Sequence, residues 1–203
     1  MGPTLYDHWP TDTTADRAGH MTIAPVPAEQ APLLARPYYA GESPSPIAAT
    51  LAHVPELLDV AMPFIGAALG ESSVPARLKE IAILRASVLL ECHYCVQTHT
   101  VVALDEGLSD SEVRALREDG PSEDAFEKER ERALVAWVDA LARGRGAIED
   151  ALQARMASCF SEAEIVELTV VTTATMMLNR YCTALGLPVN PATVTRLRAE
   201  GLA

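Results

Sequence analysis

Apolar residues recur every three to four positions along most of the chain after residue 44, which is the spacing of amphipathic α-helices. Segment 53–70 has this period and ends on Gly70, a residue that often closes a helix, while Pro63 inside it predicts a new turn or a kink. No stretch shows convincing alternation of apolar and polar residues between turn residues, the pattern of strands. The sequence therefore predicts an all-α protein, a bundle of seven to eight helices.

Start and stop signals divide this pattern into separate helices. Ser109 with Glu112, and Ser161 with Glu164, have the spacing of a capping box, in which the two side chains bond the first backbone N–H groups of a helix. Gly186 is a stop signal for the second of these helices. The main predicted helices cover residues 53–70, 72–91, 92–107, 109–118, about 122–143, 161–186, and a last short segment from 190.

Two long apolar segments, residues 80–100 and 164–184, align without gaps, and each is followed by a turn and a short V-x-x-L-R helix. The positions of Cys92, Cys95 and His99 are taken in the second segment by Met176, Asn179 and Thr183. Few identities remain, so a duplicated helical unit and a merely shared amphipathic pattern both stay open. If the unit is duplicated, only the first copy carries the reactive chemistry of Cys92, Cys95 and His99.

Residues 1–44 are rich in Pro, Thr, Asp and Gly and show no sustained period. We expect them to form a flexible or draped N-terminal arm, followed by one helical domain over residues 45–203. Met21 could be the true start of the protein, in which case the preceding residues are an extended start.

Composition narrows the function classes. Hydrophobic residues make up 49% of the 203 positions but aromatic ones only 5%, which favours packed helices with an Ala, Leu and Val core. The net charge of −12 repels phosphate backbones and anionic lipid, so neither nucleic acid nor a membrane surface is an expected partner. The most apolar stretch is interrupted by Glu167 and Arg180, which argues against a membrane-spanning helix. Four unevenly spaced cysteines and no secretory signal predict a cytoplasmic protein.

The stretch ECHYCVQTHT, residues 91–100, concentrates reactive side chains. Cys92 and Cys95 are one helical turn apart, and His99 follows Cys95 by four residues, on the same face. An imidazole there can take the thiol proton, and a turn just before Cys92 would place the pair at a helix N-terminus that favours thiolates. Glu80, on the preceding helix, could then orient the ring of His99.

Other interpretations of these cysteines carry less weight. A closed zinc site needs four ligands, and the other cysteines, Cys159 and Cys182, lie far along the chain, where they are expected to behave as small buried hydrophobes. A purely structural disulfide closing so short a loop would stabilise little.

The spacing of Glu80, Cys92, Cys95 and His99, with eleven, two and three residues between them, resembles the AhpD-like alkylhydroperoxidases of the carboxymuconolactone decarboxylase superfamily. The flanking segments PARLKEIAILRAS, FSEAEIVELTVV and LNRYCTALGLP are similar as well, and the resemblance covers roughly residues 45–189. It implies an AhpD-like helical bundle that forms homo-oligomers, with the paired cysteines near subunit contacts.

The resemblance also implies catalytic roles. Cys95 would attack the peroxide, Cys92 would resolve the product as a disulfide, and Glu80 with His99 would relay the proton. The family's peroxidase has a histidine directly before its second cysteine, where this chain has Tyr94, with His93 one place earlier. Because one residue turns a helix by about 100°, His93 cannot simply replace that histidine, and both residues are candidates for supporting roles only.

The expected function is a thiol-dependent peroxidase that reduces hydrogen peroxide or organic hydroperoxides. This chemistry needs no metal or flavin cofactor, but a dithiol protein, lipoyl or thioredoxin-like, must return two electrons. A protein disulfide exchanger of the same fold and a non-catalytic helical interaction module are the alternatives. The decarboxylase branch lacks the two cysteines, which argues against lactone decarboxylation.

Overall fold

The computed structural model describes residues 23–39, 44–118, 120 and 122–203. Within these residues all regular structure is helical, so the all-α prediction is confirmed. Met21 and most of the predicted arm lie outside the described residues. The α-helices are α1 (Pro46–Leu51), α2 (Pro55–Leu69), α3 (Ala76–Leu89), α4 (His93–Asp105), α5 (Asp110–Arg117), α6 (Glu129–Arg143), α7 (Asp150–Cys159), α8 (Glu162–Leu185) and α9 (Pro191–Ala199). Short 3₁₀ helices cover Ala28–Gln30, Leu33–Tyr39 and Glu123–Ala125.

The described residues hold nine α-helices, more than the predicted seven to eight, and α7 accounts for part of the difference. Met156 is the only buried residue of α7, so this helix carries almost no apolar period. Pro63 neither ends nor divides α2. It lies on the exposed side of that helix, where the carbonyl group left without a donor can be solvated.

The charged helix predicted from about Ser122 begins later, at Glu129, and its predicted N-terminal part was wrong. Phe126 adopts an extended conformation and is buried in the core, which interrupts the helix after the 3₁₀ turn. The guanidinium of Arg132 donates hydrogen bonds to the carbonyl oxygens of Phe126 and Glu127, at 2.9 and 2.8 Å. Burial of one aromatic side chain therefore overrides the helical charge pattern before residue 129.

Helix α3 is the centre of the bundle and packs against α4, α5, α6 and α8. Most of its residues are buried, including Arg85, which is fully enclosed. Arg85 forms two hydrogen bonds with the Asp139 carboxylate, at 2.6 and 2.8 Å, and donates to the carbonyl oxygens of Leu116, Glu118 and Gly120. A buried guanidinium must have all its donors bonded, so this network holds α3 against α6 and the end of α5.

The described part of the predicted arm, residues 23–39, packs against α1 and α2. The backbone N–H of Val26 donates to Ala49, and the Tyr39 hydroxyl donates to Val26, both at 2.9 Å. Ala35 is fully buried beside Leu58 of α2. These contacts hold α1 in position at the front of the site described below.

Apolar side chains remain exposed on two neighbouring helices. They are Leu57, Val60 and Phe64 on α2, and Val166, Val170 and Met177 on α8. Their spacing places each group on one face of its helix. No helix in the described part of the chain combines the length and the apolarity needed to cross a membrane.

Candidate active site

A left-handed residue separates α3 from α4. Glu91 has φ of 53°, a conformation that usually belongs to glycine, and it forms the turn after Leu90. The N–H groups of Glu91 and Cys92 donate to the carbonyl oxygens of Val88 and Ser87, both at 3.0 Å, the pairing of a Schellman motif. Cys92 thereby becomes the N-cap residue of α4, so the predicted turn before the cysteine pair is confirmed although no glycine or proline marks it.

The two motif cysteines are reduced and in contact. Their sulfur atoms are 2.7 Å apart, and the side chains are 0% exposed for Cys92 and 5% for Cys95. A disulfide requires about 2.05 Å, so oxidation needs only a small approach of the two sulfurs. The N-cap position and the next turn of the same helix supply this geometry.

Cys182 of α8 joins the pair, which corrects the prediction that it is only a small buried hydrophobe. The sulfur atoms of Cys92, Cys95 and Cys182 all lie within 4.8 Å of one another, and Cys182 is 1% exposed. Cys159 is partly buried against the main core on α7, as expected for a packing residue. We refer to Cys92, Cys95 and Cys182 as the thiol cluster.

The thiol cluster favours one negative charge, on Cys92. Hydrogen bonds from Cys182 and Cys95, and then from the Cys95 backbone N–H, lower the pKa of Cys92 to about 3 against the opposing effect of burial. At Cys95 a hydrogen bond with Cys182 acts to lower the pKa, but the bond to Cys92, burial and the Cys92 charge outweigh it and raise the pKa to about 12. Ionisation is thus favoured at Cys92 over Cys95, and the attack of Cys95 on a substrate stays a prediction.

Helix α8 is held at the pair by a buried polar contact that the sequence did not indicate. The Nδ2 atom of Asn179 donates to the Ser87 hydroxyl at 3.0 Å, and both residues are fully buried. Ser87 also supplies the carbonyl oxygen that accepts the Cys92 N–H. A hydrogen bond from Asn179 further acts on Cys95. One serine therefore connects the turn before Cys92 with the helix that carries Cys182.

Glu80 and His99 form the predicted pair between α3 and α4. The Nδ1 atom of His99 is 2.9 Å from Oε2 of Glu80, and the carboxylate is largely buried. Since a carboxylate only accepts, Nδ1 carries a proton, which leaves Nε2 as the ring atom that can exchange a proton with the site. Among the described residues no hydrogen bond joins His99 to Cys92 or Cys95, so any proton transfer between them needs a bridging oxygen.

A cavity of about 360 Å³ opens beside this pair. Its walls include Leu69, Glu71, Val74, Lys79, Glu80 and Glu106. None of the three thiols lines it. The cavity therefore gives Glu80 a route for exchanging protons with water.

Apolar and aromatic side chains cover the thiol cluster. Ile47 of α1, Tyr94, Tyr181 and Leu187 pack against it. Burial, and then the charges of the cysteines, raise the pKa of Tyr94 to about 12, so its hydroxyl keeps its proton at neutral pH. His93 begins α4 and is exposed. Tyr94 therefore contacts the thiol cluster directly.

The three sulfurs also match the ligand preference of zinc and other soft metals. In the described part of the chain, the thiol cluster is the sole group of three or more potential ligands, and no histidine or carboxylate completes it as a fourth. A closed structural zinc site needs that fourth ligand. The donor set thus fits thiol chemistry better than a structural metal.

Comparison with known proteins relates part of this chain to a known family. Residues 55–140 match the model of the carboxymuconolactone decarboxylase family, a range that contains Glu80, Cys92, Cys95 and His99. Over this range the chain is similar to that family, and its fold is AhpD-like. Cys182 lies outside the matched range. No curated protein is similar enough to count as a match.

Solved structures support the AhpD-like fold. A protein of unknown function from Agrobacterium tumefaciens, suggested to be the antioxidant defence protein AhpD, is 27% identical with a TM-score of 0.61, over 69% of this chain and 94% of that one. An AhpD-core, peroxidase-related protein from Ralstonia eutropha is 15% identical with a TM-score of 0.66, over 84% and 96%. The debrominase Bmp8, as a C82A variant in complex with 2,3,4-tribromopyrrole, is 19% identical with a TM-score of 0.73, over 89% and 98%. The fold thus serves more than one reaction, and the site must decide which.

Proposed function

We propose that this protein is a thiol peroxidase that reduces hydrogen peroxide or organic hydroperoxides through Cys92 and Cys95. The observation that carries the proposal is the contact of the two reduced sulfurs, 2.7 Å apart at the start of α4, one turn before a histidine bound to a buried carboxylate. A pair of cysteines with only a structural role would need neither the negative charge favoured at Cys92 nor the nearby His99–Glu80 pair.

The first step begins with a proton shift within the thiol cluster. The Cys95 thiol passes its proton to the Cys92 thiolate that it contacts, and the Cys95 thiolate attacks the outer oxygen of the hydroperoxide. The O–O bond breaks, Cys95 becomes a sulfenic acid, and the leaving oxygen takes the Nε2 proton of a protonated His99 ring, which Glu80 holds through Nδ1. A proton from water restores that ring for the next cycle. Cys95 suits this role because it is slightly more exposed than Cys92 and shares a helix face with His99.

Resolution completes the oxidation. The Cys92 sulfur attacks the sulfenic sulfur of Cys95, the S–O bond breaks, and the released hydroxide leaves as water with the proton that Cys92 had received. Two thiols are oxidised to one disulfide, and one hydroperoxide is reduced to an alcohol and water. A dithiol must then return two electrons by exchange through a mixed disulfide.

Burial of the thiols favours small reaction partners. With exposures between 0% and 5%, the sulfurs are accessible to a hydroperoxide or a slender lipoyl arm more readily than to a folded protein surface. This supports the peroxidase over the disulfide exchanger, and a lipoyl-type reductant over a thioredoxin-like one.

The proposal is tested by stoichiometric peroxide treatment of the reduced protein. We expect the intact mass to fall by two hydrogens and two thiols to disappear, with no such change in Cys95→Ser. Cys159→Ser, which removes a thiol outside the cluster, is the matched control and should behave as wild type. Unchanged thiols in the wild-type protein at equimolar peroxide would refute the peroxidase and favour a non-catalytic helical module.

The predicted homo-oligomer remains part of the proposal. Helices α2 and α8 pack against each other, and each also has an exposed apolar face. Together these two faces supply a surface that a second copy could cover. Light scattering on wild-type protein should show more than one copy, and Val60→Asp combined with Val166→Asp should reduce the mass to that of one chain. A wild-type protein that is monomeric at micromolar concentration would contradict this part.

A further inference from the structure

The thiol cluster contains one more cysteine than the proposed reaction uses. Cys182 approaches Cys92 and Cys95 from a different helix, and its sulfur is within 4.8 Å of both. The three side chains are each at least nine-tenths buried, so no competing partner from solvent occupies the space between them. A thiol in this position has the two motif cysteines as its nearest redox partners.

We propose that Cys182 is a third redox-active cysteine, which can form a disulfide with either cysteine of the pair. The proposal rests on the proposed thiol chemistry of Cys92 and Cys95 and extends it to a residue of α8. The sulfurs must approach from at most 4.8 Å to about 2 Å, which side-chain rotation of Cys182 and its partner can supply. Tyr181 and Leu187 beside the cluster limit where the rotated sulfur can go.

The balance of the reaction is that of ordinary thiol–disulfide exchange. A Cys182 thiolate attacks one sulfur of the Cys92–Cys95 disulfide, a new S–S bond forms, and the other cysteine leaves as a thiolate that takes up the proton Cys182 released. No further oxidant or reductant is consumed. When Cys92 is absent, Cys182 can instead attack the Cys95 sulfenic acid directly and release water, so that Cys182 replaces the resolving residue.

The state of the pair controls this third thiol. In the reduced protein Cys182 donates to Cys92, and this hydrogen bond, then that with Cys95, burial and the nearby negative charge, raise the pKa of Cys182. Once Cys92 and Cys95 are joined as a disulfide, the charge and the acceptor both disappear. Only burial then opposes ionisation of Cys182. Ionisation of Cys182 is thus suppressed while the pair is reduced, and it becomes easier once the pair is oxidised.

The decisive experiment compares Cys92→Ser with Cys92→Ser/Cys182→Ala after equimolar hydrogen peroxide. Serine is a favoured N-cap residue and alanine buries no hydroxyl, so both variants are expected to fold. Trypsin releases Cys95 within residues 86–114, Cys182 within 181–196 and Cys159 within 156–180, so each disulfide gives a different linked pair. Dimedone added with the peroxide traps any sulfenic acid.

We expect Cys92→Ser to lose two hydrogens and link peptides 86–114 and 181–196, with about tenfold less trapped sulfenic acid than the double variant. The double variant should instead carry the trapped sulfenic acid on Cys95. Equal sulfenic acid in both variants, with a normal Cys92–Cys95 disulfide in wild type, would overturn the role of Cys182 while leaving the peroxidase intact. Wild-type protein that loses no thiols would overturn the peroxidase and, with it, the third thiol.

Discussion

The α3–α4 segment and α8 make an instructive comparison, because residues 80–100 and 164–184 share one amphipathic pattern. The first segment breaks at Glu91, which turns the chain in a left-handed conformation, whereas α8 runs unbroken through the corresponding Thr175. Only the first segment therefore provides a new helix N-terminus in its middle. The N-cap position of Cys92 follows from that single break. The Cys182 and Cys95 side chains are the main causes of the low pKa of Cys92, and the Cys95 backbone N–H at the start of α4 adds to their effect.

The ends of the two segments differ as well. Helix α8 closes on Gly186, with φ of 63°, and the N–H of Leu187 bonds the Cys182 carbonyl, so this end is also a Schellman motif. A glycine occupies the left-handed position in α8 and a glutamate occupies it after α3. Both turns border the thiol cluster. The second segment thus contributes a thiol and a buried amide to the site, and the first contributes the charge and the proton carrier.

The largest expected effect comes from removing the reactive side chain of the first segment. Cys95→Asn copies the residue found at the matching position of α8, and Cys95→Ser is the conservative replacement. Both should abolish peroxide consumption, because no sulfenic acid can form on the proposed attacking sulfur. The measurement is peroxide loss with a dithiol reductant. Activity at the wild-type rate in either variant would show that Cys92, and not Cys95, attacks the peroxide.

The charge at the break can be measured directly. Thiolate absorbance in the ultraviolet should show one cysteine ionised through neutral and mildly acidic pH, losing its charge only as pH falls toward about 3. Cys92→Ser should remove this absorbance and Cys159→Ser should keep it. A wild-type titration with every thiol near pH 8.5 would contradict a Cys92 charge stabilised by hydrogen bonds from Cys182 and Cys95.

The same pKa predicts how stability depends on pH. Folding lowers the pKa of Cys92 from about 8.5, so the ionised thiol contributes stability that is fully present above that value. The contribution is lost as pH falls through the folded pKa of about 3. Wild-type protein should therefore lose stability relative to Cys92→Ser as pH falls from about 8.5 to 3, as denaturant unfolding at several pH values would show.

The two matching glutamates separate catalysis from capping. Glu80→Gln should slow peroxide turnover about 10–100-fold, since the amide orients His99 less firmly. Glu164→Gln makes the same chemical change at the matching position of α8, where the carboxylate caps the helix and pairs with Arg130. It should leave turnover unchanged and cost less than about 1 kcal/mol of stability. Equal turnover in the two variants would show that Glu80 takes no part in the reaction.

The two turns give the smallest effects. Glu91→Gly should stabilise the protein by about 1 kcal/mol, because glycine adopts the left-handed conformation without strain. Gly186→Ala should destabilise it by about the same amount. Gly146→Ala, in a loop with open space around the new methyl group, is the control and should be neutral or slightly stabilising. Denaturant unfolding measures all three, and a loss of stability in Glu91→Gly would show that the glutamate side chain supports the turn.

The sequence allowed most of the fold to be predicted because its signals are local. Both capping boxes are present with the predicted bonds, and Asn190 caps α9 through a 2.8 Å hydrogen bond to Ala192. Local signals failed where tertiary packing decided the outcome. Phe126 displaced the start of α6 because its burial in the core outweighed the helix propensity of its neighbours.

The motif of the site was predictable for the same reason. Cys92, Cys95 and His99 lie within eight residues, so helical geometry alone places them together. Glu80 required a turn between two helices, and the structure places it 2.9 Å from His99 as expected. Asn179 gave one weak indication, its alignment opposite Cys95, which could not show that the two residues meet in space.

What the sequence determined by itself is the set of helices and the reactive motif, since both depend on residues a few positions apart. What only the tertiary structure decided is the thiol cluster. Cys182 follows Cys95 by 87 positions, and it reaches the pair because α8 packs on α3 through the buried bond of Asn179 to Ser87. The left-handed Glu91 belongs to the same category, because the surrounding packing must offset the cost of placing a residue other than glycine there.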